Sequence, residues 1–393
     1  MKKRIAQLIY HLPIIRGILR RIEKLEKKEK AHIDKILVLE KDKKTLTKKT
    51  VMLEENINAL TMKLAELEGT NIGAKAERVE LLRKVTQLQQ DMRQIRGTIS
   101  DNRNELLHKI QYSYDKGLLP EQYEANLREW YAIQTGETLN LENPENFNQK
   151  IQWLKLNDNT LEKTRLADKF LVRDYVKERI GEQYLVPLIG EWDKFDDIDF
   201  EKLPLQFVLK TNHGCGYNII VKDKNQLDYE DSRQKINKWM AMNFAFRFGY
   251  ELQYKDIQPR IIVEEYLENN DSGLDDYKVF CFNGKAIYIM YLTDRQNGLK
   301  MAFYDREWNH MPFIYNATRI EYPVDKPDNL VELIELAERM SEGLIHVRVD
   351  FYRLNEGTLK FGEMTFTSAS GICKWDPPEY NKIMGDLIEL PKY

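Results

Sequence analysis

The sequence predicts α/β or α+β domains in more than one lobe, with antiparallel hairpins, behind a long N-terminal α-helical coiled coil. Three observations predict it. Apolar residues recur at heptad spacing from Ile15 to Leu106 without a slip. From Tyr112 the texture becomes aromatic and rich in turn residues. Beyond it, short strand-like runs joined by turns are interspersed with helical stretches.

At 393 residues the chain has room for more than one domain. Its net charge is only -3, yet residues 1–110 carry 25 Lys and Arg against 15 Asp and Glu, while the remainder carries 35 against 48. Two parts with different partners are expected. Cys215, Cys281 and Cys373 follow no metal or disulfide spacing, which fits a reducing, cytoplasmic setting. No run of 18 apolar residues predicts a membrane span. The basic start is broken by Gln7, His11, Pro13 and Arg16 and does not read as a signal peptide.

Residues 1–14 place Ile5, Leu8, Ile9 and Leu12 on one helical face, flanked by Lys2, Lys3 and Arg4. That pattern suits peripheral contact with an anionic membrane, here the inner face of the cell membrane. The competing reading is the frayed start of the coil. Nucleic acid is not expected, because aromatic interleaving is missing. Residues 15–107 read as a parallel coiled-coil stalk roughly 140 Å long. Ile at a (Ile15, Ile22, Ile36) with Leu at d (Leu39, Leu46, Leu53) favours two strands, so self-association as a homodimer, or pairing with a similar partner, is expected. An intramolecular hairpin turning at Gly69–Gly73 is the alternative.

Three regions follow: 108–205, 206–270 and 271–393. Helices are expected from Phe147, capped by Asn146 or Glu145, over 159–181, and at 230–248 and 328–342. Strands are expected at 184–189, 206–211, 217–222, 260–267, 277–282, 285–293, 300–304, 345–354 and 358–367.

Five stretches carry candidate chemistry. In "FVLKTNHGCGYNIIV", 207–221, Lys210 leaves an apolar strand toward a glycine-bearing tip whose N–H groups suit a polyphosphate. A surface hairpin is the plain alternative. "PRIIVEEYLEN", 259–269, is a strand ending in acids, able to meet adenine through its backbone and ribose through a carboxylate. In "LDDYKVFCFNGK", 274–285, Lys278 precedes an Asn283-Gly284 turn and stands as a phosphate contact or a rim lysine. "RLADKFLVRDYVKERIG", 165–181, sets Lys169 among Arg165, Arg173 and Lys177, otherwise a solvated helix face. The most informative is 346–371. A turn centred on Glu356-Gly357 puts Asp350 opposite Glu363 and Arg348 opposite Thr365, all on one face. Opposed side chains have Cβ atoms about 4.5–5.5 Å apart. Two carboxylates there repel unless a cation or a shared proton intervenes. Mg²⁺ with phosphate oxygens is one occupant, and Arg348 is the other candidate.

In this order the pieces resemble the ATP-grasp superfamily, and more closely its TupA-like family, associated with teichuronopeptide and other cell-surface polysaccharide biosynthesis. The resemblance covers about residues 110–390 and rests on "NPENFNQKIQWLKLND", "ADKFLVRDYV", "FVLKTNHGCGYNIIV", "IIVEEYL", "DYKVFCFNGK" and "RVDFY…LKFGEMTFTSASG". It implies an α+β fold of two lobes with mixed and antiparallel sheets sandwiching ATP, with Lys169 and Lys210 on the phosphates and His213, Gly214, Cys215 and Gly216 as the tip closing over them. Glu264, Tyr266 and Leu267 would form the adenine hinge, with Glu265 accepting from the ribose. Lys278 would be a further phosphate-side lysine, Arg348 would face the transferred phosphoryl group, and Asp350, Glu363 and Thr365 would hold Mg²⁺. Thr365 stands where the superfamily commonly has Asn, and His213 and Cys215 where glycines are usual. The implied activity is an ATP- and Mg²⁺-dependent ligase coupling a carboxylate to an amine, acting on an unidentified carboxylate and amine or on a glycan precursor, in capsule or other envelope polysaccharide synthesis. The competing readings are a kinase or glycosyltransferase, and a coiled-coil scaffold with a vestigial nucleotide fold.

Overall fold

The computed structural model describes residues 111–267, 274–293 and 298–391, together with 48–49, 51–62 and a scatter of positions between 80 and 109. The chain divides into two units, residues 1–111 and 112–393. In the first, the described residues are helical. The basic start and most of the heptad stretch lie outside the described residues, and so do the expected stalk's pairing and its membrane contact. No helix among the described residues is long and apolar enough to cross a membrane.

In the second unit, residues 112–117 are helical and a short turn follows at Pro120–Gln122; then comes α1 (Tyr123–Thr135), stopped by Gly136, whose left-handed backbone lets its N–H reach Ala132 O. Next comes α2 (Phe147–Asn157), whose cap is Asn146, its side chain accepting from Gln149 N. The single helix expected over 159–181 is two, α3 (Leu161–Ala167) and α4 (Val172–Arg179). The break is made by Asp168, whose carboxylate accepts from Phe170 N and Leu171 N and so competes with the helical ladder.

Four antiparallel strands form the first sheet: β1 (Leu188–Trp192), β2 (Phe207–Thr211), β3 (Asn218–Val221) and β4 (Ile261–Glu265), in the order β1-β4-β2-β3. The strand expected at 184–189 starts later because Glu182–Tyr184 forms a single helical turn. Strand alternation sends Phe207, Leu209, Val221, Ile261 and Val263 to one face, where they pack with Ile236 of α5 (Tyr229–Met240). Lys210 and Glu264 are left on the other face. The helix expected to reach 248 ends at Met240; Asn243 then caps a separate short turn, accepting from Ala245 N.

The larger sheet draws on β5 (Asp275–Phe282), β6 (Lys285–Thr293) and β7 (Lys300–Tyr304). A short β8 (Ile314–Tyr315) precedes β9 (Thr318–Arg319), and β10 (His346–Arg353), β11 (Leu359–Thr365) and β12 (Trp375–Asp376) follow. Its order is β11-β10-β5-β6-β7-β9, antiparallel except for β7 with β9, and β8 pairs separately with β12. The apolar face of α6 (Leu330–Ser341), with Leu333 and Ala337 buried, closes this core.

The last helix, α7 (Tyr380–Asp386), lies against α2. Lys150 Nζ donates to Gly385 O and Ile388 O at 2.9 and 2.8 Å. A Cβ on Gly385 would stand 2.5 Å from Phe147 N and 2.6 Å from Asn146 C, backbone atoms tied into a helix cap. Gly385→Ala should therefore destabilise the fold by about 1–3 kcal/mol. Denaturant unfolding checks this, and an unchanged midpoint would show that α7 yields freely.

Candidate active site

A narrow cleft is lined by Lys169, Arg173, Leu185, Lys210, Glu264, Phe361 and Gly362. Lys169 reaches it because the α3–α4 break puts it on a turn. Its backbone N–H donates to Asn212 O at 2.9 Å, its Nζ donates to Gly214 O at 2.5 Å, and Glu363 Oε2 lies 3.3 Å from Nζ. Lys210 projects from the cleft face of β2 and donates to Glu264 Oε2 at 2.5 Å. Arg173 donates to the other oxygen, Oε1, at 3.1 Å, and to Val186 O. Glu264 is thus buried and shared between two cations. Beyond it Glu265 is exposed, and Tyr266 and Leu267 are half-buried as β4 ends.

The 212–217 turn is braced from below. Asn212 donates to Asp168 Oδ2 and Gln258 O and accepts from Arg260 N. His213, expected on a closing tip, is buried instead, with Nε2 3.1 Å from both Trp239 O and Met242 O. The physical reason is tertiary: the end of α5 and the chain just beyond it bring the Trp239 and Met242 carbonyls against the imidazole, which pairs with both. Burial pushes the His213 pKa down, favouring the neutral ring. Gly214 has φ +83°, and a Cβ there would lie 2.4 Å from the Phe244 ring, so the position needs glycine. Only Cys215 and Gly216 stay exposed. Burial in the concave surroundings, with Glu363 nearby, pushes the Cys215 thiol up, away from a reactive thiolate.

β10 and β11 pair Arg348 with Thr365 and Asp350 with Glu363. Nearer the turn the register differs from the sequence expectation by one residue, with Phe351 opposite Phe361 and Arg353 opposite Leu359. A bulge at Gly362 restores the pairing of the acids. A Cβ on Gly362 would sit 3.2 Å from Asp350 O.

Arg348 is the cation between the acids. It donates to Asp350 through Nε at 2.7 Å and Nη2 at 2.8 Å and to Thr365 Oγ1 at 3.0 Å, and Nη2 lies 3.7 Å from Glu363 Oε1. Lys278, expected at phosphate, is directed at acids: it donates to Asp350 Oδ2, and Asp276 Oδ2 is 3.0 Å away. The reason is register, since Lys278 stands opposite Asp350 across β5–β10 and is nine-tenths buried there. Burial tends to raise the Glu363 carboxyl, but Lys169, then Lys278 and Arg348, outweigh it and bring its pKa to about 2. Asp350 is pushed up by burial against the pull of Arg348 and Lys278.

Glu363, Asp350 and Thr365 supply oxygen donors only, the type Mg²⁺ takes. No cluster of three or more His, Cys, Asp and Glu among the described residues could hold a metal. Mg²⁺ is commonly held by one or two carboxylates plus phosphate and water, and the donor set fits that mode. Glu363 is the more accessible of the two carboxylates, its side chain 26% exposed against 3% for Asp350.

Glu363 also makes an acid-stability prediction. Its folded pKa lies below the ordinary 4.5, so its stabilisation is present above about pH 4.5 and is lost as pH falls toward 2. The shift corresponds to about 3 kcal/mol. Wild type should lose stability across that window more steeply than Glu363→Gln in pH-resolved denaturant unfolding, and parallel curves would remove the inference.

Sequence reasoning did not single out Asp276 as the partner of Lys278, or Tyr315, which interacts with Arg348. The acidic pair at 275–276 was a signal for the first, and nothing local marks the second. It also took Arg173 only as part of a basic helix face.

Comparison with solved structures finds an L-amino acid ligase from Bacillus licheniformis, 13% identical, TM-score 0.39, covering 63% of this chain and 56% of that one. It also finds an N5-carboxyaminoimidazole synthetase from Staphylococcus aureus complexed with ADP, 15% identical, TM-score 0.32, covering 58% and 53%. The chain spans about half the length of these structures, and likenesses this weak carry no argument of their own. No curated protein matches the chain. The TupA-like ATPgrasp family model matches residues 149–389. That span holds Lys169, Lys210, Arg348, Asp350 and Glu363 and is more than half of the sequence, so the chain belongs to the TupA-like ATP-grasp family.

Proposed function

We infer that the chain is an ATP- and Mg²⁺-dependent ligase that activates a carboxylate as an acylphosphate and couples it to an amine, in cell-surface polysaccharide or capsule biosynthesis. One observation carries this reading. Lys169, which comes from a distant turn, and Arg348 both converge on Glu363, opposite Asp350.

Lys169 and Lys210, with Arg173 beside them, bind the polyphosphate by exchanging Gly214 O and Glu264 for phosphate oxygens. The backbone of Tyr266 and Leu267 meets adenine, with Glu264 beside them, and Glu265 meets ribose. Gly214, Cys215 and Gly216 cover the phosphates from a base that His213 anchors. Glu363 and Asp350, with Thr365, hold Mg²⁺, which neutralises phosphate charge when bound. Arg348, kept in orientation by Asp350 and Thr365, stabilises charge on the phosphoryl group in transfer. Lys278 is a positioning residue acting through Asp350. A carboxylate oxygen attacks the γ-phosphorus and ADP leaves; the amine then attacks the acyl carbon, phosphate leaves and the nitrogen loses a proton. Excluding water protects the acylphosphate.

In this reading residues 108–205, 206–270 and 271–393 act as an N-terminal lobe, a small nucleotide subdomain and a metal-bearing subdomain. Residues 15–107 mediate self-association, and 1–14 hold the protein at the inner face of the membrane. The glycosyltransferase alternative needs an accessible acidic pair. Asp276 is buried against Lys278, and Asp275 accepts from Tyr291 OH at 2.7 Å, which disfavours it.

The test is product analysis by mass spectrometry, with purified protein, ATP, Mg²⁺ and an envelope-precursor extract split into acidic and amine fractions. ADP and phosphate released only when both fractions are present, with an amide product, is the expected result. A glycosidic product with release of a nucleoside diphosphate from a nucleotide sugar would replace the ligase by a transferase.

A further inference from the structure

A second and much roomier cleft, about 580 Å³, opens where the end of α1 and the start of α2 meet the segment 372–381. That volume lies within the ~300–1,000 Å³ of ordinary small-molecule sites. Its polar wall includes Gln134, Glu137, Asn316, Lys374 and Asn381, and Trp375 contributes an aromatic surface.

Two of the amides are prepared in a particular way. Asn316 Oδ1 accepts from Lys374 N at 3.0 Å, and Asn381 Oδ1 accepts from Asn148 N at 3.1 Å. Each oxygen is therefore tied to backbone, which orients the side chain, while its NH₂ group has no partner among the described residues. The amide of Gln134 and the ammonium of Lys374 also have none. Glu137 supplies a carboxylate that, among the described residues, accepts only from Tyr131 OH, at 3.3 Å. Oriented donors, one acceptor and balanced charge suit a ligand rich in hydroxyls and without net charge. A polyphosphate would meet a single cation here. Apolar Ile372, Pro378 and Trp375 suit the C–H faces of a ring.

The far side of this wall is the catalytic cluster. Trp375 pairs with Tyr315, ring centroids 5.1 Å apart, and Tyr315 interacts with Arg348. Asn148 clamps Cys373 by accepting from its N–H and donating to its carbonyl, at 3.0 and 2.9 Å. One layer of side chains thus separates the cleft from Arg348.

We propose that this cleft binds a neutral saccharide, the glycan part of a substrate whose reactive end is processed at Arg348 and Glu363. Calling that saccharide a substrate rests on the ligase reading; the binding itself does not. The experiment is isothermal titration of the full chain, without nucleotide, with two neutral probes, maltotriose and the trimer of N-acetylglucosamine. Asn316→Asp and Asn381→Asp keep the anchoring oxygen and remove the free NH₂ donor. Saturable binding of a probe, weakened at least ~10-fold in both variants, is expected, with unchanged melting temperatures showing that the fold is intact. Absence of binding by both probes, or binding that the two variants leave unchanged, overturns the proposal. Binding of this kind in a protein that makes no ATP-dependent amide would sink the ligase reading and leave the saccharide site standing.

Discussion

Arg348→Met is expected to lower ATP-dependent product formation by ~10²–10³-fold, the usual effect of removing a preorganised charge from a transition state. Arg348 is nine-tenths buried, and three of its N–H bonds go to Asp350 and Thr365, so its direction is set before substrate arrives. A planar, permanently charged group held in this way loses little freedom when the phosphoryl group reaches it. Arg348→Lys keeps the charge but loses the fork to Asp350, so it should recover only part of the rate. Removing the arginine also leaves Asp350 to Lys278 alone, and some stability will go with it. Turnover is therefore compared at a temperature where circular dichroism shows both variants folded. A folded Arg348→Met protein that retains turnover within tenfold of wild type would reduce this residue to a structural counterion.

Glu363→Gln is expected to abolish stabilisation by ATP–Mg²⁺. A ligand at ~100 times its dissociation constant raises unfolding free energy by about 2.7 kcal/mol, and thermal unfolding with and without ATP–Mg²⁺ reads this directly. Glu363 faces Asp350 across β10–β11, and Lys169 reaches it from another part of the chain, so one carboxylate joins the proposed metal and phosphate contacts. Lys210→Met should weaken the same stabilisation by removing one of the cations proposed for the polyphosphate, and it should do so for ATP without Mg²⁺ as well. Equal stabilisation of wild type and Glu363→Gln would place the nucleotide elsewhere or show that no metal is shared with it.

Much of this was legible from residue order, and the exceptions follow one pattern. The hairpin at 346–365 declares itself by alternation and by its turn. The pairing of Asp350 with Glu363 was read correctly even though the register changes on the way, because Gly362 makes the compensating bulge. That bulge has no signal beyond an isolated glycine in a strand. The helix break at Asp168 was missed because apolar spacing continues through it, while the deciding event is one side chain capping the next turn. His213 reads as part of an open tip because Gly214 and Gly216 follow it. Its burial depends on where α5 ends, which the strand itself does not encode.

Residue order alone carried the strands β2, β4, β5, β10 and β11, the alternation along β5 and the β10–β11 hairpin, a helix from Phe147 with Asn146 or Glu145 as its cap, and the family of the region 149–389. Those features follow from dihedral preferences and from which side chains avoid water, both short-range properties. Folding of the whole region brings Lys169 to Glu363, lets Arg173 share Glu264 with Lys210, gives Lys278 to Asp276 and Asp350, and sets Tyr315 behind Arg348. Each of these contacts joins charged or polar groups far apart in the chain. Their partners are selected where packing removes water and an unpaired charge would be costly, a condition that exists only once the sheets and helices have assembled.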